Sequence, residues 1–294
     1  MDRELFVSGL EEIAEENQRN SEKLMKEVYR EKKKQRDEII KYIISLYAAY
    51  EITEKGLLKL SQSDKRKVSM QTKDILTSLA AKLGTNEEKA ITKALEESVS
   101  NTYGKTNFLI QLGVNFDLPI GGLDEKAISK IINKQLEGKS FSTRIWNNQQ
   151  LLINQLNREI NDIIFSGKDV NKATKIIKDR FNVSATNAKR IVVNETKNVQ
   201  VRTQGKIYRE NDLIKKVMWS ATIDEKTREE HRHLDGKVWD SNETHPTPEQ
   251  FVNCRCSLVP IVEGWNPTKR RDNQSKDIVD YETYNEWAKE KGIN

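Results

Sequence analysis

Apolar residues recur every three or four positions along most of the chain, which is the spacing of an amphipathic α-helix. In the clearest stripe, Trp146, Ile153 and Ile160 are seven residues apart, within residues 140–165. Such a stripe is typical of a helix that packs against other helices and not of a cofactor pocket. The whole pattern predicts helices over residues 1–50, 62–83, 87–102, 125–137, 140–165, 170–181 and 184–209.

The first predicted helix changes character along its length. Residues 11–38 contain 8 basic and 9 acidic residues with few apolar positions, whereas residues 39–50 are mostly apolar. A helix as polar as 11–38 either forms an arm that extends from the core or presents a surface that docks on something else. We therefore expect a polar N-terminal arm followed by a packed segment.

Glycine and proline are concentrated in one segment, at Gly104, Gly113, Pro119, Gly121 and Gly122. This segment is the best candidate for a hinge or boundary, because both residue types interrupt helices. Asp124 is placed to cap the next helix, which stops at Gly138. The predicted regions are a helical N-terminal region (1–138), a second domain (139–262) and a tail (263–294) with a short helix at 277–290.

The pattern changes after Lys215. Residues 217–222 and 257–262 predict strands, and Asp235-Gly236 is a turn signal between them. Pro260 has no N–H to donate, so the last strand is expected at a sheet edge. The predicted fold class is therefore mainly α, with long helices and a small C-terminal β-rich unit (α+β) at 215–262.

Composition excludes several classes of protein. The chain has 294 residues, of which 32% are charged and 36% hydrophobic. No window approaches the roughly 20 apolar residues of a membrane span, and the first four residues lack the order of a signal peptide. Cys254 and Cys256 are separated by a single residue, so a disulfide between them would be strained. Two such cysteines favour folding in a reducing compartment.

Basic residues are in clear excess only in the middle of the chain. Residues 151–216 contain 14 basic and 7 acidic residues, whereas residues 217–294 contain 11 and 15. A clustered excess fits a polyanion such as DNA, and a solvated face of a helical bundle is the alternative. The candidate DNA contacts are Lys189, Arg190, Lys197, Arg202, Lys206 and Arg209.

Glu195 lies on the apolar stripe of the last predicted long helix, three residues from Val192 and four from Val199. An unpaired carboxylate at such a position would be costly. We therefore predict a buried Arg–Glu pair that fixes packing, with Arg228 as the preferred arginine. A catalytic carboxylate is the alternative.

All three histidines and both cysteines of the chain fall within residues 231–256. Upstream, Asp224 is predicted to accept a hydrogen bond from the Thr227 N–H and so to open a short helix. Zinc takes imidazole and thiolate ligands, which makes His231, His233, His245, Cys254 and Cys256 candidate ligands. The spacing is not the paired Cys-x-x-Cys of a typical zinc site, so a cofactor-free motif held by packing and hydrogen bonds is favoured. Neither a nucleophile elbow nor a phosphate-binding glycine loop is present.

The order and spacing of these residues resemble the phage head morphogenesis family, the minor head proteins similar to the Mu F protein and the SPP1 minor capsid protein. The motif residues are Glu195, Trp219, Asp224, Thr227, Arg228, His231, Asp235, Gly236, Asn253, Cys254, Arg255 and Cys256. The helix before them resembles the family's Ile-Ala-Arg-Thr-Glu sequence, with Val193-Asn194 where Arg-Thr is usual. Some members have Cys-x-x-Cys where this chain has Arg228-x-x-His231. The resemblance covers about residues 145–262.

The resemblance implies a virion component inside the head of a tailed phage, assembled in the host cytoplasm, and not an enzyme. It implies association with the portal protein and roles in head assembly and in DNA packaging or ejection. Packaged double-stranded DNA and scaffolding or major capsid protein are further implied partners, with no membrane in the assembled head. The residues alone leave two alternatives open: a metal-dependent nuclease and a stand-alone nucleic-acid-binding module.

Overall fold

Long helices make up most of the protein, as predicted. The computed structural model describes residues 5–55, 57–114, 122–166, 170–222, 224–262, 269–271 and 278–280. The helices of these residues are α1 (Leu5–Ala49), α2 (Gln62–Val114), α3 (Glu125–Ile132), α4 (Phe141–Ser166), α5 (Val170–Glu210) and α6 (Glu229–Leu234). None of them combines the length and the apolar character of a membrane-crossing segment.

The predicted β unit is a three-stranded antiparallel sheet. Its strands are β1 (Ile214–Ser220), β2 (Val238–Asp240) and β3 (Ser257–Val262), in the spatial order β2-β1-β3. Strand β3 lies at an edge, as its proline predicted, with Pro260 opposite Val217. A separate pair consists of β4 (Lys269–Arg271) and β5 (Ile278–Asp280).

The C-terminal helix predicted at 277–290 is wrong at residues 278–280, which form β5. Ile278 and Val279 are β-branched, and they satisfy their backbone groups by pairing with the strand at Lys269–Arg271. The rest of the predicted helix lies outside the described residues.

The chain forms two compact units. The first contains Met1–Ser21, Ala94–Leu136 and Val193–Asn294, and the second contains Glu22–Lys93 and Glu137–Val192. Each unit combines segments that are distant in sequence. The predicted boundaries at residues 138 and 262 divide the sequence into consecutive regions. Because each compact unit combines several separate segments, the units do not test these boundaries, which stay a prediction.

The core of the first unit contains the three-stranded sheet. Trp219 of β1 and Val259 of β3 are buried with Phe6 and Leu10 of α1 and Ile110 of α2. In the core of the second unit, Leu156 and Ile160 of α4 are fully buried with apolar residues of α1, α2 and α5. The stripe predicted in α4 therefore packs against helices, as expected.

The polar segment 11–38 is not a free arm. In the first unit, buried Asn17 donates to Thr102 Oγ1 at 2.9 Å, and the Ser21 and Thr196 hydroxyls are 2.9 Å apart. In the second unit, buried Lys32 is 2.8 Å from Glu87 Oε2. The segment is packed because its buried polar groups have polar partners, so a count of apolar residues underestimates its burial.

Two predicted helix breaks are wrong. Helix α2 runs through residues 84–86, because a Cβ on Gly84 would lie 2.5 Å from the Trp146 ring, so glycine serves close packing there. Helix α5 runs through Ser184, whose hydroxyl accepts hydrogen bonds from Lys32 and Asn148 in place of capping a new helix. Gly84 and Ser184 therefore mark contacts with distant residues and not the ends of helices.

The segment predicted as a hinge, residues 104–122, begins inside α2, which continues to Val114. The remainder up to residue 121 lies outside the described residues. Asp124 caps α3 as predicted, because its Oδ1 accepts a hydrogen bond from the Ala127 N–H at 2.7 Å.

Arg202 and Glu249 form a buried ion pair in the first unit. The Arg202 Nε donates to Glu249 Oε2 at 2.5 Å, Arg202 Nη1 donates to the Ile131 carbonyl, and Lys134 donates to Glu249 Oε1 at 2.6 Å. Burial alone would raise the pKa of Glu249, but the hydrogen bonds from Lys134 and Arg202 hold it below its usual value. The carboxylate form is therefore the native one.

We expect Arg202→Met to lower the free energy of unfolding by about 3 kcal/mol, because Glu249 then stays buried without its closest cation. The estimate is at the lower end for a broken buried pair, since Lys134 remains. Denaturant unfolding followed by circular dichroism measures the change. In the double variant Arg202→Met/Glu249→Leu, most of the loss should be recovered.

The loss should also depend on pH in a defined direction. A carboxyl whose pKa is lowered in the folded state stabilises the fold above its ordinary pKa, and this contribution is lost as the pH falls through the folded value. The difference between the parent and Arg202→Met should therefore shrink in acid. A difference that stays constant from neutral pH to pH about 3 would contradict the proposed role of the pair.

Candidate functional site

The motif residues of the C-terminal unit gather around Trp219 in the central strand β1. The indole is fully buried, and the rings of His231 and Phe251 pack edge-on against it with centroids 5.7 and 6.0 Å away. Backbone hydrogen bonds from Trp219 N–H to the Lys237 carbonyl and from Gly236 N–H to the Trp219 carbonyl, each 2.9 Å, attach β1 to the turn at 235–237. Gly236 has φ +76°, the left-handed conformation for which glycine is suited.

Asp235 fixes the end of β1. Its Oδ1 accepts a hydrogen bond from the Ala221 N–H at 2.7 Å, and both residues are buried. The Thr227 hydroxyl donates to the Thr222 carbonyl on the same side of the turn. These side chains satisfy backbone groups that leave the sheet and would otherwise lack partners.

Asp224 does not cap α6 in the predicted way. Its Oδ1 accepts from the Lys226 N–H, whereas the Thr227 N–H donates to the Asp224 backbone carbonyl. The Asp224 carboxylate instead forms a bidentate pair with Arg255, with Arg255 Nη2 2.8 Å from Oδ1. This pair connects the turn before α6 to the segment between the two cysteines.

The buried arginine pair predicted for Glu195 is not formed with Arg228. Glu195 is buried, as expected, and Asn198 donates to its Oε2 at 3.5 Å. The Arg228 guanidinium donates to the Val252 carbonyl at 2.6 Å and lies 3.7 Å from Glu230. Arg228 therefore attaches the start of α6 to the loop that leads into the cysteines.

Three of the five candidate metal ligands converge. The His231 Nδ1 is 3.7 Å from Cys254 Sγ and 3.4 Å from Cys256 Sγ, and the three ligand atoms lie within 4.8 Å of one another. The residues are 3%, 7% and 2% exposed, respectively. His233 lies apart, exposed and 3.7 Å from Glu229, and the His245 ring stacks on Trp239.

A left-handed residue places the cysteines. Asn253 has φ +58°, a conformation that asparagine tolerates, and its N–H donates to Asn194 Oδ1 of α5 at 2.8 Å. The chain then turns so that Cys254 and Cys256 both face His231, just before β3 begins. The role of Asn194 could not be recognised from the sequence, because its partner is 59 residues away.

The two thiols differ electrostatically. The hydrogen bond from Cys256 lowers the pKa of Cys254 to about 7, and Lys197 and Arg228 act in the same direction. That hydrogen bond, together with burial, raises the pKa of Cys256. Burial lowers the pKa of Lys197, whose Nζ is 3.4 Å from Ser257 Oγ.

Two of the six candidate DNA contacts are less accessible than the sequence suggested, Arg202 because it is buried and Lys197 because it is part-buried. Arg202 is 7% exposed and pairs with Glu249, and the ammonium of Lys197 lies in the field of the two thiols. Sequence reasoning missed Glu249 and Lys134, since nothing in their local pattern indicates a buried partner 47 or more residues away.

The other four candidates lie at the surface. Lys206 and Arg209 line a cavity of about 650 Å³ in the first unit, together with Lys130 and Lys134. In the second unit, Lys189 and Arg190 are exposed, and Lys189 is 3.5 Å from Glu22.

We expect Asp235→Ala to lower the free energy of unfolding by about 1–3 kcal/mol, because the buried Ala221 N–H loses its acceptor. Asp235→Asn keeps a side-chain oxygen at the same position and is the matched control, with a smaller expected loss. Denaturant unfolding of both variants measures the difference. Equal losses in the two variants would show that the acceptor oxygen is not what stabilises the turn.

Comparison with known proteins found a family model and curated relatives that are similar to this chain. The chain is 24% identical to the minor head protein GP7 of Bacillus phage SPP1, over 69% of this chain and 72% of that protein. It is 28% identical to a protein named NAD(+)–arginine ADP-ribosyltransferase EFV of Enterococcus faecalis, over 68% of this chain. The chain spans only 44% of the length of that relative. No solved structure matches significantly.

The family model described as Phage Mu protein F like protein matches residues 154–259. This range contains Glu195, Trp219, the α6 motif, the three converging side chains and the first half of β3. Residues 154–259 are therefore similar to the Phage Mu protein F like family.

Proposed function

We propose that this protein is a minor head protein of a tailed phage, a component of the virion and not an enzyme. The observation that carries the proposal is the match to the Phage Mu protein F like family, joined by the similarity to the SPP1 minor head protein over 72% of that protein. Both matches are to phage proteins. The family model covers residues 154–259, and the similarity to the SPP1 minor head protein extends over 69% of this chain.

The geometry of the motif favours a structural role. Asp224 pairs with Arg255, Asp235 binds the Ala221 N–H, and Arg228 binds the Val252 carbonyl. A metal-dependent nuclease needs a general base and an accessible metal position beside the substrate. Here the carboxylates hold the fold, and the three converging side chains are buried, so the nuclease alternative has little support.

The finer parts of the proposal follow from the family resemblance. The protein lies inside the head, contacts the portal protein, and takes part in head assembly and in the packaging or ejection of DNA. Scaffolding protein and major capsid protein are secondary candidate partners. Assembly takes place in the host cytoplasm before the head is filled.

DNA contact is proposed for the basic edge of the first unit. Lys130, Lys134, Lys206 and Arg209 line one cavity there, although Lys134 also pairs with Glu249 and Lys206 with Glu210. Basic side chains grouped at a surface bind phosphates without reading sequence. Such contacts suit a protein that meets packaged DNA of any sequence.

Heads assembled from the full set of head proteins of the same phage test the proposal. We expect the protein to be present in purified heads and to co-purify with the portal ring after the shell is dissociated. In heads assembled without the portal protein, its amount should fall strongly. Absence from all heads would refute the minor-head assignment, whereas unchanged incorporation without portal would refute only the portal contact.

DNA binding has its own test. Double-stranded DNA should bind the full chain with an affinity that falls steeply as salt is raised. In the variant Lys206→Ala/Arg209→Ala, affinity should fall and the log–log salt slope should shrink by about 1 for each phosphate that the variant no longer neutralises. Lys237→Ala, an exposed lysine of the same unit outside the cavity, should change neither quantity. Equal effects of both variants would contradict a localised DNA surface.

A further inference from the structure

We propose that His231, Cys254 and Cys256 bind a zinc ion. A tetrahedral zinc, with Zn–S of about 2.3 Å and Zn–N of about 2.0 Å, places each thiolate sulfur about 3.5 Å from the imidazole nitrogen. The two observed Nδ1–Sγ distances are 3.4 and 3.7 Å. The backbone therefore already holds the imidazole nitrogen at the distance from each sulfur that zinc requires, with all three atoms within 4.8 Å of one another.

The surroundings fix the imidazole in the orientation that a ligand needs. The Phe251 ring packs edge-on against His231 with centroids 4.6 Å apart, and Trp219 packs on it from β1. Nδ1 faces the two sulfurs, and Nε2, which is buried, lies 3.6 Å from Glu230 Oε1. At 3.6 Å the Glu230 carboxylate is too far away to accept a hydrogen bond from Nε2, so the orientation of the ring rests on its packing against Phe251 and Trp219.

The ion would connect two segments that the chain brings together from a distance. His231 belongs to α6, and the cysteines, 23 and 25 residues later, precede β3. His233 and His245 lie outside the cluster, so the described residues supply three ligands to the ion. The burial of all three ligands favours a structural ion that fixes α6 on the sheet.

A different chemistry could hold the same residues without metal. The part-buried ammonium of Lys197 acts electrostatically on both cysteines, and the two thiols hydrogen-bond to each other. In that arrangement, the cluster is a thiol network beside a lysine. The zinc site and the metal-free thiol network differ in metal content, so metal analysis of the protein distinguishes them.

Metal analysis of the full chain, purified without a histidine tag, is the first test. We expect one zinc ion per chain, lost in His231→Gln and Cys256→Ser. His233→Gln is the matched control, because His233 is an exposed histidine of the same short helix, and it should keep its zinc. Zinc loss in His233→Gln equal to that in His231→Gln would overturn the ligand assignment.

The second test needs no variant and so does not depend on a variant that folds. The unmodified chain is unfolded with a chelator and refolded with or without Zn²⁺, and separately with Co²⁺. We expect a higher melting temperature with Zn²⁺ and, with Co²⁺, the near-ultraviolet absorption of thiolate-to-cobalt charge transfer. X-ray absorption of the zinc form should show two sulfur and two lighter neighbours.

The proposal is overturned if the refolded chain contains no zinc, lacks the cobalt–thiolate absorption and melts at the same temperature with and without the ion. That result would leave the thiol network beside Lys197 as the structure of the cluster. It would not affect the proposed place of the protein in a phage head, because head incorporation is measured separately.

Discussion

Partnering of buried polar groups is the constraint on which the structure depends. The polar segment 11–38 of α1 buries few apolar side chains, chiefly Ile13, Met25 and Val28, so the free energy of its packing depends on whether each buried polar group has a partner. In the first unit, Asn17 hydrogen-bonds to Thr102, and Ser21 hydrogen-bonds to Thr196. In the second unit, Lys32 pairs with Glu87. An unpaired polar group at any of these positions would oppose the packing that apolar residues provide.

Two buried ion pairs among the described residues, Arg202–Glu249 and Lys32–Glu87, shift the pKa of the carboxyl group in opposite directions. In the first unit, two cations keep the pKa of Glu249 below its usual value, so the charged form is stabilised above its ordinary pKa and this contribution is lost in acid. In the second unit, burial raises the pKa of Glu87 despite Lys32, so its effect has the opposite sign: the neutral form favours folding at low pH, and this is lost as pH rises through the folded value. Burial of an ion pair is therefore not by itself a measure of stability.

Sequence patterns predicted those features that depend on interactions between residues close in the chain. The stripe in α4, the Asp124 cap and the edge position of β3 were confirmed, because each depends on periodicity, a cap three residues away or a missing N–H. Gly84 and Ser184 misled because their causes are tertiary: a tryptophan ring and hydrogen bonds from distant side chains. Clustering of histidine and cysteine in sequence did indicate a spatial cluster, but only the fold distinguishes His231 from its neighbours His233 and His245.

The departures from the family pattern have a physical account in this chain. Asn194 stands where the family usually has threonine, and its Oδ1 accepts the N–H of Asn253, the left-handed residue that turns the chain toward the cysteines. Arg228 stands where some members have the first cysteine of a pair, and it binds the Val252 carbonyl, so it joins α6 to the same loop by a hydrogen bond. Both residues keep α5, α6 and the cysteine loop attached to one another. In this chain, the two hydrogen bonds therefore hold α5, α6 and the cysteine loop in one arrangement.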